Sequence, residues 1–176
     1  MNVYRYEQSV EAVREAVRPI VFLAGPTVRG NQPHLTSWRF DCVREFECQD
    51  FGGSLIVPEF SSKVESDKGK YWIPLWEFNG LKTADCILFW IPRTRELIGL
   101  TTNWELGYWI GRKVDKVVYG RPDDAYRIRY LDIMWEAIFN ERGIDTPVIN
   151  STLRDTVSAA ILKARDSQRV QWFNNG

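Results

Sequence analysis

The run IVFLA at Ile20–Ala24 stops at Gly25-Pro26, and the run CILFWI at 86–91 stops at Pro92. An unbroken apolar stretch of five or six residues, closed by a breaker, is the pattern of a strand buried on both faces. Both faces of the pleat must then meet hydrocarbon, which is the situation inside a parallel sheet covered by helices. CILFWI is the most apolar of the runs and is expected at the sheet's centre.

Working outward, the pattern alternates. Val10, Val13 and Val17 stand at helical spacing behind Ser9, and Pro19 closes that segment before the first strand. After the loop GPTVRGNQPHLTSW, Thr36 or Ser37 is placed to cap a helix whose buried stripe is expected to be Phe40, Val43 and Phe46, closed by Gly52-Gly53. A second strand follows at 55–57, then a polar surface loop at 58–70. Pro74 suits an early helical position ahead of Leu75, Trp76, Phe78 and Leu81. Beyond CILFWI a short helix, a fourth strand at 114–119, a long helix striped by Ile128, Leu131, Trp135 and Ile138, a fifth strand at 147–149 and a last helix opened by Thr152 complete the chain. Strands alternating with helices imply right-handed crossovers. The expectation is an α/β fold, a doubly wound five-stranded parallel sheet forming a single domain over residues 1–176.

Composition narrows the function. The chain has 23 basic and 23 acidic residues, so no broad field favours nucleic acid or an anionic membrane. Eight Trp, seven Tyr and nine Phe exceed what one core requires, which points to an aromatic-lined pocket or a subunit interface. Cys42, Cys48 and Cys86 show no paired spacing, and no signal-like or membrane-length apolar segment occurs, so a reducing cytoplasm is the expected compartment. His34 is the single histidine, which leaves no His cluster for a metal. No G-x-G-x-x-G follows the first strand and no P-loop occurs, which argues against a dinucleotide or P-loop enzyme. Neither cofactor nor metal is expected.

The stretch GLTTNWELGYWIGR at 99–112 carries the chemistry. Thr101, Thr102 and Asn103 are cap residues, with Asn103 the best of them, and a cap there puts Glu105 in the first helical turn. The helix dipole would then favour the ionised carboxylate by roughly 0.3–1 kcal/mol. Most acidic helix starts are simply solvated, but Glu77 and Asp85 also fall near strand ends or adjacent helices. Paired carboxylates suit glycosyl transfer, one attacking the anomeric carbon and another handling the leaving group's proton.

VFLAGPT, then SWR opening a helix, NGLKTADCILFWIPR, and TTNWELGYWIGRKV together resemble the nucleoside 2-deoxyribosyltransferase family, especially its compact bacterial and phage branch, over residues 20–131. The resemblance implies a flavodoxin-like, Rossmann-like fold and transfer of a 2-deoxyribosyl group between nucleobases. By position, Glu105 matches the family's nucleophile, which forms a covalent glycosyl intermediate. Glu77 matches its nucleobase-side acid, which is Asp in well-known members. Phe22, Gly25, Pro26 and Thr27 match the sugar pocket, and Asp85 matches the acid before the central strand. Arg29, Thr102 and Asn103 are the further substrate-binding candidates, with Arg29 and Thr102 suited to a 5′-phosphate. The segment between Pro92 and Glu105 is longer than in the best-known transferases, so their remaining pocket acid corresponds either to Glu96 or to Thr101 and Thr102. The resemblance also implies a homo-oligomer with a shared site, to which Asp124, Arg127, Arg129 and Tyr130 are placed to contribute. Two alternatives stay open: a hydrolytic N-glycosidase acting on a nucleoside 5′-monophosphate or NAD, and a non-catalytic nucleotide-sensing module.

Overall fold

A computed structural model describes residues 1–28, 32, 34–61 and 72–174, with side chains of the last helix described through 168. In chain order the elements are β1 (Asn2–Tyr4), α1 (Val10–Arg14), β2 (Ile20–Ala24), α2 (Trp38–Cys48), β3 (Ser54–Ile56), α3 (Trp72–Thr83), β4 (Cys86–Trp90), α4 (Leu100–Arg112), a 3-10 turn (Val114–Lys116), β5 (Val117–Gly120), α5 (Arg129–Glu141) and α6 (Leu153–Asn174). The five strands form one parallel sheet in the order β1-β3-β2-β4-β5. The fold is α/β and flavodoxin-like or Rossmann-like, as the alternating pattern requires.

The pleat divides the apolar runs between two cores. Ile20, Phe22, Ala24, Ile87 and Phe89 pack with Trp76, Leu106, Trp109 and Trp135 on one face. Val21, Leu23, Cys86, Leu88 and Trp90 pack with Trp38, Phe46, Val157 and Ala160 on the other. Every residue of β2 and β4 is buried. Each large apolar side chain buried this way contributes about 1.5–3 kcal/mol relative to exposure.

Several expectations are corrected. β2, not the more apolar β4, lies at the centre, because the missed strand β1 extends the sheet on the far side of β3. β1 has only three residues, too few for a period to register. The strand expected at 147–149 does not form; one bridge joins Gly120 to Asn150. Pro147 has no N–H to donate, and Val148 is 79% exposed, so neither ladder nor core holds the segment there. The fourth strand begins at Val117 rather than 114, after the 3-10 turn. α1 ends at Arg14 and leaves Val17 exposed. Ser37 caps α2, whose buried face is Trp38, Arg39, Cys42 and Phe46, whereas Phe40 is exposed. The helix ends at Cys48, ahead of the two glycines, as Asp50 takes a left-handed φ of 49°. Of the surface loop expected at 58–70, residues 62–70 lie outside the described residues. Among the described residues no helix is long and apolar enough to cross a membrane.

With all strands pointing one way, the sheet has two unlike edges. The C-terminal edge gathers the loops after Ala24, Ile56 and Trp90; the N-terminal edge gathers Arg18, Asp85 and Lys116.

Candidate active site

Gly25 ends β2 with φ 154°, and a Cβ there would lie 2.2 Å from the Trp90 carbonyl oxygen and 2.7 Å from Trp38 Cζ2. No side chain fits between β2, β4 and the start of α2. Trp38 Nε1 donates to the Pro26 carbonyl at 2.9 Å, fixing the loop.

Arg39 also holds that loop and is 1% exposed. Its guanidinium donates to the carbonyls of Leu23 (3.0 Å), Gly25 (2.8 Å) and Pro26 (3.3 Å), to Thr27 Oγ1 (3.3 Å) and to Glu59 Oε1 (2.8 Å). Ser37, the α2 cap, also donates to Glu59 Oε1 at 2.7 Å. One planar fork therefore ties the β2 loop to the β3 loop, a task that five fixed donors suit and an ammonium does not. Buried ions need such partners.

Glu77 stands on α3 one turn before Gly80, whose missing Cβ lets Phe22 approach; a Cβ there would be 2.9 Å from Phe22 Cε2. Phe22 is thus buried beneath the helix that carries Glu77. The Tyr6 hydroxyl donates to Glu77 Oε1. Tyr6 is itself buried in an aromatic cluster with Phe60, Trp72 and Trp76. Burial raises the Glu77 carboxyl above its usual range, against the opposing pull of the Tyr6 bond and the Arg39 charge.

Glu105 lies in the second turn of α4, not the first. The helix starts at Leu100 behind Gly99, whose left-handed φ of 64° replaces the expected Asn103 cap. Gly99 is in that conformation where a Cβ would press within 2.9 Å of the Pro26 ring, so the β2 loop sets where α4 begins. The dipole consequently does not keep Glu105 charged. Burial first, then the Glu77 charge, push its carboxyl up to about 7, with Arg39 opposing. Tyr6, Glu77 and Glu105 all feel the Arg39 charge.

Of the other sequence-derived residues, Gly25, Pro26, Thr27 and Thr102 are brought together. Thr102 is 1% exposed, and its Oγ1 is 3.1 Å from where a Gly99 Cβ would stand. Asn103 points to the α5 side, where its Oδ1 accepts from Arg93 Nη2 at 2.5 Å. Asp85 is at the opposite edge of the sheet, accepting from the Ile20 N–H at 2.8 Å and pairing with Arg18. Arg29 lies outside the described residues. Glu96 pairs with His34 at the surface, 2.7 Å away. Arg127 lends its carbonyl to Arg93, and Tyr130 is 71% exposed.

Sequence reasoning assigned no role to Arg39, Tyr6 or Glu59. Arg39 was discernible in one respect: it directly follows Trp38 and lies three residues before Cys42, at helical spacing on the buried face. Tyr6 and Glu59 had no comparable signal. Among the described residues no group of three or more His, Cys, Asp or Glu side chains converges to hold a metal ion. The arrangement offers two partly desolvated carboxylates, one held by a phenol and both within reach of the Arg39 charge. Such a pair retains a proton near neutrality and supplies a base or nucleophile beside an acid.

A family model described as nucleoside 2-deoxyribosyltransferase like matches residues 18–124, more than half of the chain. The match spans Arg39, Glu77 and Glu105 and ends before α5. No curated protein matches the chain.

Proposed function

The chain belongs to the nucleoside 2-deoxyribosyltransferase-like family, and from that premise we propose that it breaks the N-glycosidic bond of a 2-deoxynucleoside and passes the sugar to a second nucleobase. A Glu105 carboxylate oxygen bonds to C1′ as the C1′–N bond breaks. The electron pair leaves on the base nitrogen, which takes a proton from Glu77. The acceptor's ring nitrogen then attacks C1′, the ester bond breaks back to the Glu105 carboxylate, and the acceptor's proton passes to Glu77. Glu105 is needed ionised and Glu77 protonated, so the one proton of the pair, which the Glu77 charge draws toward Glu105 in the free protein, passes to Glu77 when the substrate is bound.

The observation that carries this reading is the family match over residues 18–124, within which Glu77 and Glu105 stand on neighbouring positions of the site on α3 and α4. The Tyr6 bond to Glu77 Oε1 supports it, since it orients that carboxyl and leaves the second oxygen for the base. Gly25, Pro26 and Thr27 line the sugar side in this reading, with Phe22 buried behind them beneath α3, and Arg29 and Thr102 bind the rest of the substrate, while Asn103 is taken up by Arg93. Asp85 acts from the far edge by fixing the start of β2 and β4. Exposed Leu75, Leu100 and Trp104 on α3 and α4 support a homo-oligomer that closes the site. The proposed role is cytoplasmic nucleobase salvage.

The test incubates wild type and Glu105→Gln with nucleosides, deoxynucleotides and NAD, with and without a free acceptor base, and separates the products by chromatography. Base exchange that requires the acceptor is expected, falling about a thousandfold or more in Glu105→Gln. Release of base and free sugar without an acceptor would assign hydrolysis instead. Undiminished turnover in a folded Glu105→Gln would remove Glu105 as the nucleophile.

A further inference from the structure

The N-terminal edge of the sheet, opposite Gly25–Thr27, holds a cleft of about 500 Å³. Four separate parts of the chain line it with cations: Arg18 before β2, Lys82 in the last turn of α3, Lys113 and Lys116 between α4 and β5, and Lys163 on α6. Three carboxylates, Asp85, Asp115 and Asp166, share the lining. The cleft thus carries an excess of two positive charges in a chain whose 23 basic and 23 acidic residues cancel overall.

Asp85 is engaged by Arg18 and by the Ile20 N–H. Lys116 Nζ donates to the carbonyls of Leu81 and Lys82, 2.9 Å each, and Lys163 Nζ to the carbonyl of Asp115 at 3.0 Å. Those bonds fix both ammonium groups against neutral backbone and leave their charge uncancelled by the acceptors. Each ammonium has three donors, of which these bonds use two and one. Lys116 also lies 5.3 Å from the centre of the Trp109 ring, which holds it at the wall of the cleft. Burial brings its pKa down to about 8; Asp85 and Cys86 offset this, and Arg18 and Lys113 add to it. Positioned ammonium groups around an open volume are arranged as point charges for an oxyanion of high charge density.

We propose that this cleft binds a small, multiply charged phosphate ligand of the inorganic phosphate or pyrophosphate class, at a site separate from the Glu77–Glu105 pair. The ligand's oxygens take the unused donors of Lys116 and Lys163, with Lys82 and Lys113 closing over it from the exposed rim.

Isothermal titration of the full chain with inorganic pyrophosphate, and separately with inorganic phosphate, tests this at constant ionic strength, with sulfate as the control anion. Saturable binding at one site per chain is expected, weakened at least about tenfold in Lys113→Gln/Lys163→Gln. Lys163→Arg retains most of it, and Glu105→Gln leaves it unchanged. Circular dichroism and thermal melting of the double variant guard against a folding defect. The proposal is overturned by any one of four results. These are no saturable binding, equal binding in the folded double variant, sulfate binding as well as pyrophosphate, or pyrophosphate binding lost in Glu105→Gln or displaced by nucleoside. The last would place the anion at the carboxylate site.

Discussion

Replacing Glu105 by Gln is expected to stabilise the protein at alkaline pH while removing its proposed chemistry. The Glu105 carboxyl is pushed from 4.5 up to about 7 by burial and by the Glu77 charge. A folded-state pKa above the unfolded value means that the native protein binds more protons than the unfolded chain between those limits. The contribution of Glu105 to stability is therefore fully present below about 4.5 and is lost as pH rises through about 7. That rise from 4.5 to about 7 sets a ceiling of about 3 kcal/mol for the cost of ionising Glu105 in place. Gln keeps the shape without the charge, so Glu105→Gln should match wild type near pH 4 and exceed its stability by up to about 3 kcal/mol at pH 8. In urea, with a slope of about 2–3 kcal/mol per molar, the midpoint would move up by roughly 1 M. Equilibrium unfolding at pH 4, 6 and 8, followed by tryptophan fluorescence, measures it. A variant no more stable than wild type at pH 8, or an advantage that does not grow between pH 4 and 8, would refute the claim that Glu105 ionises against its surroundings.

Further outcomes follow from the same geometry. If the pair must carry one proton to react, kcat/KM should fall as pH rises through about 7, where that proton leaves the pair, and Glu77→Gln, which has no proton to give the base, should lower kcat/KM across the range and lose that fall; a pH–rate profile of each protein checks both. Gly25→Ala forces a Cβ to 2.2 Å from the Trp90 carbonyl and should cost about 3 kcal/mol or more, whereas at Gly107, inside α4 with nothing within 4 Å, the same change should gain up to about 1 kcal/mol. Thermal unfolding of the pair would expose an error in either sign. Arg39→Lys, which retains charge and loses the fork, should destabilise by about 2–4 kcal/mol and lower turnover at least tenfold, read from denaturation and product release; wild-type behaviour in Arg39→Lys would show that charge alone suffices.

The alternation of apolar runs with helical stripes was enough to reach the parallel α/β sheet, because IVFLA and CILFWI must be covered on both faces whatever surrounds them. Ser37 and Thr152 were legible because caps act over three or four residues. The two strand errors arose where local pattern carries little information. Asn2–Tyr4 is three residues held by pairing with β3, and 147–149 has a strand-like composition but lacks a partner that completes a ladder. Glu77 and Glu105 could be picked from sequence as acids near helix and strand ends, yet their electrostatics could not. The sequence places Glu105 behind an asparagine cap and hence charged; the Gly25-Pro26 turn pressing on Gly99 starts the helix earlier, and burial beside Glu77 reverses the expected shift. Arg39 is the clearest case of what tertiary structure alone decided. Its five acceptors come from Leu23, Gly25, Pro26, Thr27 and Glu59, up to 20 residues away along the chain. Hydrophobic periodicity is a local property and can be read residue by residue, but desolvation and charge coupling depend on which distant groups fold against a side chain.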